Sequence, residues 1–405
     1  MIEKKYSIGF EEALSMVRGT LKRPSPVALP VDEVCDLIVA EDLFAAADCP
    51  SATSSLKDGY AVVSKDIEGA SKDHPVKLRV IGMSVAGDNT SGYVEPGLAI
   101  KVMTGALLPQ GADAVIAVEF TREQANQVLC FINAEPGRNV LSRGTDVETG
   151  ELIVSRGEML TPALTGLLAA GGAHQIPVFP KPRVAIVATG DEVVAPGCPL
   201  KSGQVYASNL VTLTSWLRHF GFPGKSKVVK DDSEEIRRTF TSMLSDADAL
   251  LTSGGAWKSE RDLTVRVLDE MGWDLIFHRV RMGPGKAVAM GMLDEKPVFC
   301  LPGGPPSNEM AFLQLALPGL FQITGRSPIP FGTKKVRLAS GVGGDPTWTQ
   351  FYQAILEMRG EEWWGVPLQI KSRIQSQARA EALIKVPEGV NRLEAGDMIE
   401  VQVLS

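Results

Sequence analysis

VAIVATGDE, at residues 184–192, and ALLTSGGAWKSERD, at 249–262, each pass from an apolar run through a small-residue turn to a carboxylate. Each predicts a buried parallel strand whose carboxyl end opens into a loop with exposed backbone N–H groups. In open α/β sheets ligands bind at that edge, where the strand order reverses. Two such loops, both carrying acids, point to a phosphate-bearing ligand and a hard cation.

Outward from these stretches, strands and helices alternate between 183 and 325. Strand 184–188 leads to helix 209–220, strand 227–229 to helix 234–244, and strand 249–252 to helix 263–271. Strands 276–280, 287–290 and 298–301 follow, then a helix from 306. The alternation implies βαβ units and a parallel sheet. Upstream, between 48 and 143, short alternating runs (76–81, 99–103, 114–118, 128–132) separated by turn residues predict an all-β region. Ile8, Ala13, Leu14 and Val17 predict a helix over 7–21 with Ser7 as N-cap, and 31–43 predicts a second amphipathic helix. Thr161, Pro162 and Gly171-Gly172 mark the cap, first residue and stop of a third. From 334 the pattern is β again, with a turn at Gly396-Asp397.

A chain of 405 residues exceeds what one core organises, so several domains are expected. Its net charge of -7, with no concentration of Lys and Arg, opposes a general nucleic-acid or membrane-surface binder. An anionic ligand must therefore be held by local donors. Cys35, Cys49, Cys130, Cys198 and Cys300 are scattered, which fits reduced thiols and excludes a structural zinc site by spacing. The charged start MIEKKYSIGFEEAL is unlike a signal peptide, and the longest apolar run, 311–321, is broken by Pro318. A soluble, cytoplasmic protein is expected.

Several turns carry candidate chemistry. Thr189 and Gly190 allow a tight turn, and Asp191 and Glu192 hold a divalent cation, position a sugar or pterin hydroxyl, or are solvated strand-end acids. Ser253, Gly254 and Gly255 let a ligand approach the backbone, and Asp262 is an N-cap, a magnesium carboxylate or a proton-transfer carboxylate. The Gly-Lys-Ser/Thr order of a P-loop is absent from GGAWKS. Lys286 after Gly285 suits an oxyanion, and the loop of Pro302, Gly303, Pro305 and Ser307 sits at a strand boundary before a helix. Asp58, Thr104 and the pair Asp231-Asp232 are turn or helix-start residues as readily as site residues.

Taken together, SSLKDGYAV (54–62), IKVMTGALLPQGADAVIAVE (100–119), SRGTDVETGE (142–151), RVAIVATGDEVV (183–194), GQVYASN (203–209), LLTSGG (250–255) with RD (261–262), PGKAVAMG (284–291) and LPGGPPS (301–307) resemble the molybdopterin molybdenumtransferase family, which includes the enzymatic domain of gephyrin. The resemblance implies a multidomain α/β plus β chain. Its parts are a discontinuous helical domain (1–47 and 144–178), an inserted β-rich domain (48–143), an α/β molybdopterin-binding domain with a parallel sheet (179–327) and a C-terminal β-barrel (328–405). It implies a homodimer that uses Mg2+ to insert molybdenum from molybdate into adenylylated molybdopterin, releasing AMP. Transient contacts with other proteins of molybdenum cofactor biosynthesis are part of that expectation; nucleic acid and membrane are not. By matching motif positions, it implies catalytic roles for Asp58, Thr104, Glu192, Asp262 and Lys286. It implies cofactor contacts from Thr189, Gly190, Ser253, Gly254, Gly255, Gly285, Pro302, Gly303, Pro305 and Ser307, and metal ligation by Asp231, Asp232, Asp262 and Glu192.

This chain departs from the family pattern at four places. Gly283 stands where a lysine usually precedes Pro-Gly-Lys, and Gly304 where the family loop has an asparagine. The loop 253–262 carries Trp257 and Lys258, and Lys57 replaces a methionine. Lys57, Lys258 and Arg281 are then the candidate replacements for the lost cation. Two other readings compete with an active transferase: a non-catalytic pterin- or partner-binding relative, and a nucleotide hydrolase.

Overall fold

The structure is a computed structural model and describes residues 5–88, 92–254, 263–326, 331–370 and 372–404. It divides into two compact units, one of 27–178 and one in which the first 26 residues join 179–405.

In the second of these, β1 (Lys5–Gly9) and α1 (Phe10–Thr20) precede an α/β succession. It comprises β2 (Val184–Thr189), α2 (Ser208–His219), β3 (Gly224–Val229), α3 (Ser233–Ser245), β4 (Ala249–Ser253) and α4 (Leu263–Glu270). There follow β5 (Asp274–Gly283), β6 (Ala289–Leu293), β7 (Lys296–Leu301), α5 (Pro305–Ala311) and α6 (Leu317–Thr324). The sheet order is β3-β2-β4-β7-β6-β5, with β1 beside β5. β3, β2, β4 and β7 are parallel, as expected, and the sheet continues into antiparallel β6 and β5. Only Asp294 and Glu295 separate β6 from β7, both at positive φ, which is the backbone of a two-residue hairpin and too short for a crossover.

The central strands are apolar throughout because both faces are covered. Val184 and Ile186 of β2, Leu251 of β4 and Phe299 of β7 pack into one core with α1, α2 and α6. Their neighbours Ala185, Val187, Leu250 and Val298 point the other way, onto Ile236 and Phe240 of α3 and Leu268 of α4. From β2 the chain returns as β3 on one side, and from β3 it crosses to β4 on the other. The strand order therefore reverses at the carboxyl ends of β2 and β4.

Beyond α6, strands Thr333–Leu338, Thr349–Arg359, Glu362–Pro367, Ala382–Val386 and Met398–Val403 close a small barrel, since Thr349–Arg359 pairs with both Glu362–Pro367 and Ala382–Val386. Closure leaves no strand edge open. Thr349 and Gln350 also pair with Met282 and Gly283, so β5 carries the α/β sheet into the barrel.

In the unit 27–178, six strands run in the order Thr121–Gln124, Gln127–Cys130, Val76–Ser84, Leu98–Val102, Gly59–Val62, Ala114–Ala117. This is the β-rich insertion. The flanking pieces, 27–47 and 144–178, share a core containing Val34, Val39, Leu160, Leu168 and Ile176. Helix Pro162–Ala170 starts as expected, with Thr161 Oγ1 accepting from Leu164 N–H.

Two local expectations are corrected. Residues 31–43 form turns and short strands, not a helix. Asp36 sits at φ 63°, and the N–H groups of Val31, Asp36, Val39 and Ala40 donate to carbonyls of His174, Leu160, Glu158 and Pro177. Distant partners have replaced the helical ladder. At the start of the chain, Ser7 lies inside β1, and Gly9 caps α1 without a side-chain bond. Phe10, Ala13, Leu14 and Val17 then bury one stripe of α1. Residues 5–26 thus pack with the α/β unit, while 27–47 stay with 144–178.

Candidate functional site

At the switch point, the carboxyl ends of β2 and β4 frame a cavity of about 320 Å³. That is near the lower end of the roughly 300–1,000 Å³ usual for ligand sites. Thr189 ends β2 and Glu192 follows it, Ser253 ends β4 and Gly254 follows it, Gly303 and Pro305 follow β7, and Ser208 and Asn209 open α2. Gly254 has φ +97°, and a Cβ there would stand 2.8 Å from the Thr189 carbonyl oxygen. A side chain at that point would push the two loops apart. Thr189 Oγ1 is itself 3.3 Å from Thr264 Oγ1 on α4.

The wall is polar through its amides. Asn209 Nδ2 donates to Ser253 Oγ (3.1 Å) and to the Gly303 carbonyl (2.8 Å). Asn308 Nδ2 donates to the same Ser253 Oγ (3.1 Å) and to the Pro302 carbonyl (2.8 Å). Among the expected residues, Thr189, Glu192, Ser253, Gly254, Gly303 and Pro305 line the cavity. Gly190 is the turn between Thr189 and Asp191, and Pro302 is engaged behind the wall through its carbonyl. Gly285 packs on α5, where its Cβ position is 3.4 Å from Ser307 O and Ala311 N; Lys286 beside it is exposed. Gly255 and Asp262 lie outside the described residues, as do Trp257 and Lys258.

Asp231 and Asp232 follow β3 at the same edge. Asp232 accepts from Glu235 N–H at 2.7 Å and caps α3. Asp231 N–H donates to Asp191 Oδ1 at 3.3 Å. Burial pushes the Asp231 carboxyl above the usual carboxylate range, and the negative charges of Asp191 and Glu192 act in the same direction. Among the described residues, no three His, Cys, Asp or Glu side chains gather as a metal site.

In the other unit, Asp58 precedes strand Gly59–Val62 and Thr104 follows strand Leu98–Val102. Those strands pair with Gly59 opposite Val102, which brings their ends together. Thr104 donates to Asp58 Oδ1 through its backbone N–H (2.7 Å) and its hydroxyl (2.8 Å). Both bonds hold the Asp58 carboxyl below its ordinary range, the backbone donor most. Lys57 beside it is exposed.

Arg281 is not available as a replacement cation. Its guanidinium donates to the carbonyls of Ser7 (2.8 Å) and Thr347 (3.2 Å) and pairs with Glu388 at 3.4 Å. At Gly283, a Cβ would meet Gln350 Oε1 at 2.4 Å, so a side chain there requires the Gln350 amide to turn aside. Gly304 differs, with nothing within 4 Å of its Cβ position.

The sequence reading did not single out Asn209 or Asn308 as site residues. Their signals were modest: an asparagine ending GQVYASN, and one inside the apolar helical run after LPGGPPS. Only the fold brings both to one serine.

Comparison with known proteins covers nearly the whole chain. Family models described as "MoeA N-terminal region (domain I and II)", "Probable molybdopterin binding domain" and "MoeA C-terminal region (domain IV)" match 8–172, 185–322 and 335–404. Molybdopterin molybdenumtransferase 2 of Mycobacterium tuberculosis is 30% identical over 96% of this chain and 98% of its own length. The molybdopterin molybdenumtransferase of Bacillus subtilis is 27% identical over 100% of this chain and 96% of its own. The crystal structure of a molybdopterin biosynthesis MoeA protein from Pyrococcus horikoshii superposes with a TM-score of 0.80 at 33% identity, covering 98% of this chain and 99% of that one.

Proposed function

This chain belongs to the molybdopterin molybdenumtransferase family, and from that premise we propose that it inserts molybdenum from molybdate into adenylylated molybdopterin with release of AMP, as a Mg2+-dependent homodimer. The observation that carries this reading is the cavity at the switch point, where Ser253, Gly254 and Gly303 offer a hydroxyl and close backbone to a phosphate. Lys286, on an exposed turn against α5, adds a positive charge for an oxyanion.

Glu192, Asp231 and Asp262 are the proposed metal ligands, while Asp232, next to Asp231 in the chain, is committed through Oδ1 to its helix cap. Their hard oxygen donors suit Mg2+, and the raised Asp231 carboxyl is the kind of group whose ionised form a cation would relieve. When bound, the metal would offset negative charge on the phosphate and molybdate oxygens. Asp58, held below its ordinary range by Thr104, is the proposed catalytic carboxylate of the β-rich region.

The second reading is a non-catalytic relative. It is favoured by Gly304, where the family's amide is missing from open space rather than excluded by packing. The deciding experiment supplies the purified protein with adenylylated molybdopterin, molybdate and Mg2+. Release of AMP with formation of active cofactor is expected. Pterin binding without AMP release would favour the non-catalytic relative, and cleavage of nucleotides lacking a pterin would favour a hydrolase.

A further inference from the structure

Ser253 lines the cavity and is 5% exposed. Its hydroxyl receives the Nδ2 groups of both Asn209 and Asn308. The orientation of each amide is fixed independently of the serine. The Gly303 and Pro302 carbonyls, each 2.8 Å away, only accept, so the end facing them must be the NH2. Each nitrogen then spends one proton on a carbonyl and has the other for Ser253 Oγ. Asn308 keeps this orientation although its Oδ1 is buried and has no partner among the described residues.

Two incoming donors fill both acceptor positions of the serine oxygen. One O–H remains, and among the described residues Ser253 donates it to nothing. We infer that Asn209 and Asn308 are positioning residues that hold Ser253 as an obligate hydrogen-bond donor to the occupant of the cavity. A donor so held rejects groups that only donate and bonds most strongly to a charged acceptor, such as an oxygen of a phosphate ester. The inference deepens the proposed function, because it takes the phosphate of the pterin substrate as the acceptor.

The first test needs no ligand. In the free protein, the side-chain NH2 protons of Asn209 and Asn308 should exchange slowly with solvent by NMR, and Ser253→Ala should speed the exchange of both. Fast exchange in the wild type, or no change in the variant, would overturn the assignment.

The second test measures affinity for adenylylated molybdopterin in a double-mutant cycle. Asn209→Ala leaves one amide on the serine and should weaken binding only a few-fold. Asn209→Asp offers a carboxylate that captures the serine proton, and should weaken binding at least tenfold. In a Ser253→Ala background the same Asp substitution should cost clearly less, since only its lost bond to the Gly303 carbonyl and its charge remain. Equal losses in both backgrounds would mean simple charge repulsion, and the proposal would fall. If the wild type binds no adenylylated molybdopterin while the NMR result holds, the functional reading fails and the serine's donor state stands.

Discussion

A carboxylate that accepts both the N–H and the hydroxyl of one neighbour, as Asp58 does from Thr104, stays ionised to lower pH than a free one. The linkage follows in sign: the pair contributes stability above the unfolded carboxyl pKa, and the contribution disappears as pH falls through the depressed folded value. Thr104→Val removes the hydroxyl and keeps the stronger backbone donor. Carbon NMR should then find Asp58 titrating nearer the ordinary range; an unmoved titration would mean that the hydroxyl has no hold on it. Gly254 makes a different kind of prediction. Gly254→Ala places a methyl against the Thr189 carbonyl in left-handed backbone, so it should cost about 1–3 kcal/mol in denaturant unfolding. A wild-type midpoint would contradict the close approach of the two loops.

At the scale of elements, the sheet was legible because β2, β4 and β7 are buried on both faces, which writes itself as continuous apolar runs. Phe299, fully buried in β7, should accordingly cost about 3–5 kcal/mol as Phe299→Ala, read from urea unfolding. The 31–43 segment misled for the opposite reason. Its apolar residues fall at helix-compatible intervals, but most of its backbone bonds run to residues more than a hundred positions away, which local pattern does not record. The same holds at the site. Glycine turns announce themselves locally, whereas Asn308 acquires its role by meeting Ser253, 55 residues earlier in the chain. Strand pairing also bears on a departure that motif comparison registered only as a loss. The side-chain amide of Gln350 stands over Gly283, so Gly283→Lys should cost little beyond turning that amide aside, and Gln350→Ala should remove what cost there is. Additive effects would show that the cost has another source.

Across the α/β unit as a whole, the two ends of the sheet present rival hollows. The larger, about 680 Å³, lies at the amino ends of the parallel strands and is lined by Lys22, Arg23, Lys181 and Lys296 together with Asp248, Asp274, Asp294 and Glu295. Its volume exceeds that of the switch-point cavity, and its cations give an anion a reason to visit. Yet its charges are mixed, and loops leaving the carboxyl ends of parallel strands are where such sheets place ligands. Among the described residues, no helix is long and apolar enough to cross a membrane. A crystal structure with adenylylated molybdopterin bound separates the two hollows directly. The account predicts a phosphate oxygen within hydrogen-bonding distance of Ser253 Oγ, beside Gly254 and Gly303. A ligand seated instead among Lys22, Arg23 and Lys181, with the switch-point cavity empty, would contradict it.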